Sequence, residues 1–288
     1  MEREQIRISV RNLVEFILRS GDIDNRRASL DTMEAMQAGS RLHRKIQKKM
    51  GSTYHAEVPL NIIIEEENYE LGIWGRADGI IIEETVTIDE IKGVYLSLDL
   101  LEEPVKVHLA QAKCYAYIYG IQNDLQKINV QMTYGNLDTG DLKYFSYEYS
   151  MQQLQEWFSD LILKYKQWAD FQYEWRKKRQ ASIKELAFPF PYREGQKELA
   201  AGVYRTIARK KNLFIQAPTG VGKTISTLYP AIKAVGEGLG DKIFYLTAKT
   251  VTANVAKETL GILCEKGYRA KSVQITAKEK LCPCEEVD

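Results

Sequence analysis

The chain has 288 residues, a formal net charge of +1, 44% hydrophobic and 27% charged side chains. That composition excludes a disordered or fibrous protein, and no apolar run approaches the ~18 residues of a membrane-spanning helix. A charge this close to zero supplies no overall basic field for nucleic acid, so any phosphate binding must come from local clusters such as Arg41 to Lys49 and Arg176 to Arg179.

The length accommodates two domains. The opening MEREQIRISV lacks the apolar core of a signal peptide, and the four cysteines show no secreted spacing, so a cytoplasmic location is expected. Ser9 precedes a helical pattern in which Val10, Leu13, Val14, Ile17 and Leu18 share a face, with Gly21 placed to end it. A second helix is predicted over 32–50. It puts Gly39 and His43 on one face. A histidine so placed is by itself more often structural than a ligand.

Residues 54–64, 69–82 and 86–94 alternate as strands and form a three-stranded meander. The bend at Glu83, Glu84 and Thr85 sets a hairpin register of Ile82 with Val86, Ile80 with Ile88 and Asp78 with Glu90. Facing strand residues have Cβ atoms about 5 Å apart, and two charges at that distance repel by roughly 3 kcal/mol at an effective dielectric near 20. Lys92 projects from the same face two residues on. Two acids, a lysine and room for a cation make a candidate metal-dependent hydrolytic site; the bland alternative is two solvent-facing acids on an edge hairpin.

A helix follows from about 103 to 120, with Val107, Ala110, Cys114 and Tyr117 as its apolar stripe and Gln111 and Tyr115 on a neighbouring face. Strands over 127–134 and 143–149 come next, linked through a turn at 136–140. A long helix from Met151 to about Ser182 carries Leu154, Trp157, Phe158, Leu161, Tyr165, Trp168 and Phe171 as expected core, and its RKKR tail is a candidate contact for a nucleic-acid backbone.

In order, Gly39-x-x-x-His43, Gly75-x-x-Asp78, Glu90-Ile91-Lys92 and Gln111-x-x-x-Tyr115 closely resemble the motifs of the RecB-like branch of the PD-(D/E)xK nucleases over roughly residues 6–180. The resemblance implies a restriction-endonuclease-like mixed sheet flanked by helices. It also implies that His43, Asp78, Glu90 and the main-chain carbonyl of Ile91 hold Mg²⁺ or Mn²⁺, that Lys92 orients or activates the attacking water, and that Gln111 and Tyr115 assist and contact DNA. A hard divalent cation suits phosphodiester hydrolysis, and an imidazole ligand favours Mn²⁺. Some relatives bracket this fold with four cysteines and an iron–sulfur cluster. Here Cys114 is the sole cysteine before residue 264, so no such cluster is expected and Cys114 reads as a small buried residue.

LAFPFPYREGQ marks a boundary, giving a first domain over 1–182, a linker over 183–192 and a second domain over 193–288. A helix from 193 to about 210 precedes an expected apolar strand, Asn212 to Ala217, that runs into Pro218-Thr219-Gly220-Val221-Gly222-Lys223-Thr224. Such a loop curls its N–H groups around phosphates at a helix N-terminus, with Lys223 reaching the outer phosphates and Thr224 helping to hold Mg²⁺. Ala217 departs from the strict phosphate-loop pattern. Gln196 resembles the adenine-reading glutamine of superfamily 2 helicases, a strand is expected over 242–247, and ITAKEKLCPC resembles the entry to the iron–sulfur segment of DinG/XPD-like helicases. Cys282 is then a candidate first ligand of a 4Fe-4S cluster in a full-length parent, with Cys284 two residues on.

No acidic Asp-Glu motif or second lobe follows Thr224. The reading is therefore a metal-dependent DNA nuclease, acting on single strands, joined to a partial RecA-like lobe that binds ATP without unwinding. The alternative is a non-cleaving nucleic-acid clamp of an ATP-dependent helicase.

Overall fold

The computed structural model describes residues 3–21, 32–218, 220–248 and 250–276. It divides into two compact units between Phe171 and Gln172. In the first, the elements run β1 (Gln5–Ser9), α1 (Val10–Ile17), α2 (Thr32–Gln47), β2 (Tyr54–Glu65), β3 (Glu70–Ile81), β4 (Thr87–Val94), α3 (Lys106–Gln122), β5 (Lys127–Asn136), β6 (Leu142–Ser150) and α4 (Met151–Glu185), whose C-terminal part continues into the second unit. The six strands make one mixed sheet, ordered β1-β3-β4-β5-β6 with β2 on β3, and helices flank it. This is a mixed α/β architecture consistent with a restriction-endonuclease-like fold.

Local chemistry sets the boundaries. Ser9 caps α1 by accepting the Asn12 N–H at 3.2 Å. The turn between β5 and β6 is closed by Asn136 Oδ1, which accepts the N–H groups of Asp138 and Thr139, with Gly140 at φ +79°. The expected register of the hairpin holds: Ile80 pairs with Ile88 and Gly79 with Asp89. Ile80, Ile88, Ile91, Val130, Met132 and Ile118 are fully buried and form the core around which the site is built.

The strand β1 was not expected. It pairs in parallel with the start of β3, over Gln5 to Ser9 against Glu70 to Trp74, and so distant a parallel partner leaves no local turn signal. Another correction concerns the aromatics of α4. Leu154, Phe158, Leu161 and Tyr165 are buried, but Trp168 and Phe171 lie on the exposed face, Trp168 edge-on to Phe16 at 5.3 Å between ring centres.

The second unit contains α5 (Gln196–Ala208), α6 (Lys223–Gly236) and α7 (Thr250–Glu265). Its core joins Ile183 and Leu186 to Ile225, Ile232, Val235, Leu263 and Tyr268. Lys233 caps the end of α4 by donating to the carbonyls of Ile183, at 2.8 Å, and Lys184. The strands expected over 212–217 and 242–247 form no ladder among the described residues. Their apolar side chains stay in water, Phe214 at 95% and Leu246 at 89% exposure, because a strand is stable only with a paired edge and covered faces.

Candidate functional site

The centre of the site is a fork in the sheet. β2 pairs with β3 from Glu70 to Ala77 and again from Gly79 to Ile81, so β1 and β4 must share the opposite edge of β3. β1 occupies that edge as far as Trp74 and β4 takes it up at Gly79. Residues 75–78 lie in the gap, and they are the Gly-x-x-Asp motif.

Side chains satisfy the backbone that the gap exposes. Asp78 is next in register to face Glu90, but the ladder stops there, and its Oδ2 accepts the Ile91 N–H at 2.8 Å. The Arg76 N–H is directed at the Tyr115 hydroxyl, a long contact of 3.4 Å. A Cβ at Gly75 would lie 2.7 Å from both Cε1 and Oη of that tyrosine. Glycine at 75 and tyrosine at 115 are thus two halves of one packing requirement.

β4 alternates its side chains across the sheet. Glu90 is fully buried, with one oxygen accepting from Lys92 Nζ at 2.7 Å and the other, Oε2, buried without a partner. Burial, then the nearby charge of Asp78, pushes its carboxyl up to about 8. Lys92 Nζ also reaches Gln111 Oε1 at 3.3 Å, and the Gln111 amide lies 3.5 Å from the Tyr115 hydroxyl. Burial pushes that phenol up to about 12. On the other face, Asp89 is buried and accepts from Tyr54, Gln131 and Thr133, while Ile91 packs with Leu42 and Ile46 of α2. These contacts hold β4 still beneath the site.

From α2, His43 Nδ1 approaches Asp78 Oδ1 to 3.4 Å. One turn further along, Gln47 donates to the Asp78 carbonyl at 3.0 Å and to Glu57 at 3.2 Å. Gly39 has open space where a Cβ would be. Among the described residues, ligand atoms of His43, Glu57 and Asp78 lie within 4.8 Å of one another, and Glu90 is not part of that trio.

The sequence reading missed Glu57, Gln47 and His108. Gln47 had a signal, since it follows His43 by one helical turn on the same face. His108 Nδ1 meets the Tyr134 hydroxyl at 3.1 Å, and burial, then the positive charges of Lys92 and Arg11, lower it to about 4.

The donor set fits a divalent cation. It offers an imidazole and hard carboxylate oxygens, and the orphaned Glu90 Oε2 is a buried acceptor that costs on the order of 1–3 kcal/mol until something positive meets it.

In the second unit, Gly220 and Gly222 adopt φ +86° and +78°, and α6 starts at Lys223. Lys223 Nζ folds back onto the carbonyls of Ala217 at 2.9 Å and Pro218 at 2.6 Å. Arg193 donates to the Gly220 carbonyl, and buried Gln196 donates to that of Val221 at 3.2 Å while accepting from the Arg193 N–H. Thr224 occupies the first turn of α6. Thr219, Cys282 and Cys284 lie outside the described residues. Arg179 of the RKKR tail donates to the Asp241 carbonyl at 3.0 Å, so that arginine is engaged within its own unit.

No protein-family model matches the chain. A 51-residue stretch, 17% of the chain, is 51% identical to a probable ATP-dependent helicase of Methanocaldococcus jannaschii and spans 8% of that relative's length. Two solved structures align at a TM-score of 0.35 each. One is SSO0001, 19% identical over 57% of this chain and 78% of its own. The other is an alkaline exonuclease from Laribacter hongkongensis, 12% identical over 59% and 92%. No helix among the described residues is long and apolar enough to cross a membrane.

Proposed function

We propose that the chain is a metal-dependent DNA nuclease over residues 1–182, joined through 183–192 to the nucleotide-binding start of an ATP-dependent helicase motor over 193–288. The observation that carries this reading is the fork at residues 75–78, where Asp78 faces a buried, half-satisfied Glu90 that is tied to Lys92.

His43, Asp78, Glu90 and the Ile91 carbonyl hold Mg²⁺ or Mn²⁺ in this reading. When bound, the cation supplies charge neutralisation at the phosphate and makes the attacking water more acidic. Lys92, fixed between Glu90 and Gln111, donates to that water and sets its line of approach. Gln111 keeps the ammonium in place, and Tyr115 braces Gln111 and the backbone at Arg76. The Asp89 network keeps β4 from relaxing as a phosphate enters.

In the second unit, Gln196 with Gly220, Gly222, Lys223 and Thr224 forms the ATP pocket. Phosphates would take over the Lys223 ammonium from the Ala217 and Pro218 carbonyls. Thr219 and a cluster ligand at Cys282 remain part of the proposal from sequence alone.

A labelled single-stranded oligonucleotide incubated with Mn²⁺, Mg²⁺ or EDTA tests the nuclease reading. Metal-dependent cleavage is expected. Tight binding without cleavage under every divalent metal would instead establish the non-cleaving clamp.

A further inference from the structure

Three neighbouring strands carry an acid at the same level of the sheet. Ala56 pairs with Gly79 and Val58 with Ala77, which sets Glu57 of β2 across from Asp78 of β3; the β3–β4 register sets Glu90 across from Asp78 on its other side. The outer acids each have a basic partner: Glu57 receives Arg76 Nε at 2.7 Å, and Glu90 receives Lys92 Nζ at 2.7 Å. Asp78, in the middle, has the His43 imidazole and the Ile91 N–H.

Glu57 sits in the left-handed region, φ +58°, inside a twelve-residue strand. That conformation costs an L-residue roughly 1–2 kcal/mol, and the pairs on either side of it keep their register. The ladder thus breaks at Glu57 and Asp78 and resumes in the same register beyond them. Gln47 fixes the result, bonding both the Glu57 carboxylate and the Asp78 carbonyl. Independently of this cluster, Glu90 Oε2 is an unpartnered oxygen on a side chain only 1% exposed, across from Asp78. Carboxylates thus flank Asp78 on both sides, and on the Glu90 side one buried oxygen has no partner.

We infer that Glu57 is a further ligand of the divalent cation, completing with His43 and Asp78 a set whose donor atoms already lie within 4.8 Å of one another. This rests on the nuclease reading above. Around a small divalent cation, oxygen ligands at about 2.1 Å stand roughly 3 to 4 Å apart, so a small side-chain rotation closes the set. Arg76 is then the counter-ion that Glu57 keeps while no metal is bound.

The experiment is titration of the full chain with Mn²⁺ alone, by calorimetry and by electron paramagnetic resonance of the free ion. Glu57→Gln should weaken Mn²⁺ binding at least about tenfold, and Glu57→Asp, which keeps the charge and tolerates the left-handed backbone, about threefold. Arg76→Gln should leave Mn²⁺ binding equal or tighter, since it frees the carboxylate. If Glu57→Gln does not fold, Glu57→Asp and Arg76→Gln decide. Unchanged affinity in Glu57→Gln or Glu57→Asp, beside a clear loss in Asp78→Asn, would overturn the role of Glu57 and leave the nuclease reading intact. Weakening in Arg76→Gln as large as in the Glu57 variants would also overturn it, making Glu57 merely the holder of Arg76. Unchanged affinity in Asp78→Asn would bring down both.

Discussion

Replacing Glu90 with glutamine should stabilise the metal-free protein at neutral pH and remove its response to metal. The carboxyl goes from an ordinary 4.5 to about 8 in the fold. Between those values the folded state keeps a proton that the unfolded chain releases. Stability from this group is therefore intact below pH 4.5 and is lost as pH rises toward 8, after which it is level. At pH 7 the difference of about 2.5 units corresponds to about 3 kcal/mol. The substituted amide does not titrate, and its oxygen can still accept from Lys92.

Urea denaturation in EDTA at about pH 4.5 and about pH 7 should show parent and Glu90→Gln close together at the lower pH, with the variant on the order of 3 kcal/mol ahead at the higher. Mn²⁺ should reverse the order, because a ligand at about a thousand times its Kd adds about 4.1 kcal/mol to the protein that binds it. A variant less stable than the parent at neutral pH without metal would refute the reasoning, since Glu90 would then be a net stabilising charge rather than a costly one.

Lys92→Ala should lower the cleavage rate by at least about a hundredfold while leaving Mn²⁺ affinity within a few-fold, since in the proposed mechanism the lysine handles water rather than metal; calorimetry beside a cleavage time course separates the two. Gly75→Ala pushes a methyl into the Tyr115 ring, 2.7 Å from Cε1, and should cost about 1–3 kcal/mol in a urea melt and slow cleavage with it. No loss of stability would show that the ring can move aside. Lys223→Ala should weaken binding of a fluorescent ATP analogue at least about tenfold and leave cleavage unchanged, and a loss of cleavage would contradict two independent sites.

The hairpin was legible because its turn and its alternating apolar residues sit within one short stretch: a one-residue slip would turn Ile80 and Ile88 off the buried face, and the loop length fixes the register that remains. Where the hairpin ceases to be a ladder was not legible. The Asp78 carboxylate taking the Ile91 N–H, and Tyr115 aligned with that of Arg76, depend on β1 and β4 sharing one edge of β3, a long-range arrangement without a local pattern. Glu57 escaped for the same reason: an acid in an alternating strand reads as a solvent-facing side chain until the partner strand and the left-handed φ are known. In the second unit, apolar runs at 212–217 and 242–247 carry strand propensity without a ladder partner among the described residues, and propensity alone does not make a strand.

Single-turnover cleavage of 5′- and 3′-labelled single-stranded DNA by the parent and by Lys92→Ala, in Mn²⁺ and in EDTA, tests the central claim most directly. The account predicts cleavage by the parent in Mn²⁺ alone and loss of that cleavage in Lys92→Ala with metal binding retained. Cleavage that persists in Lys92→Ala, or in EDTA, would contradict it.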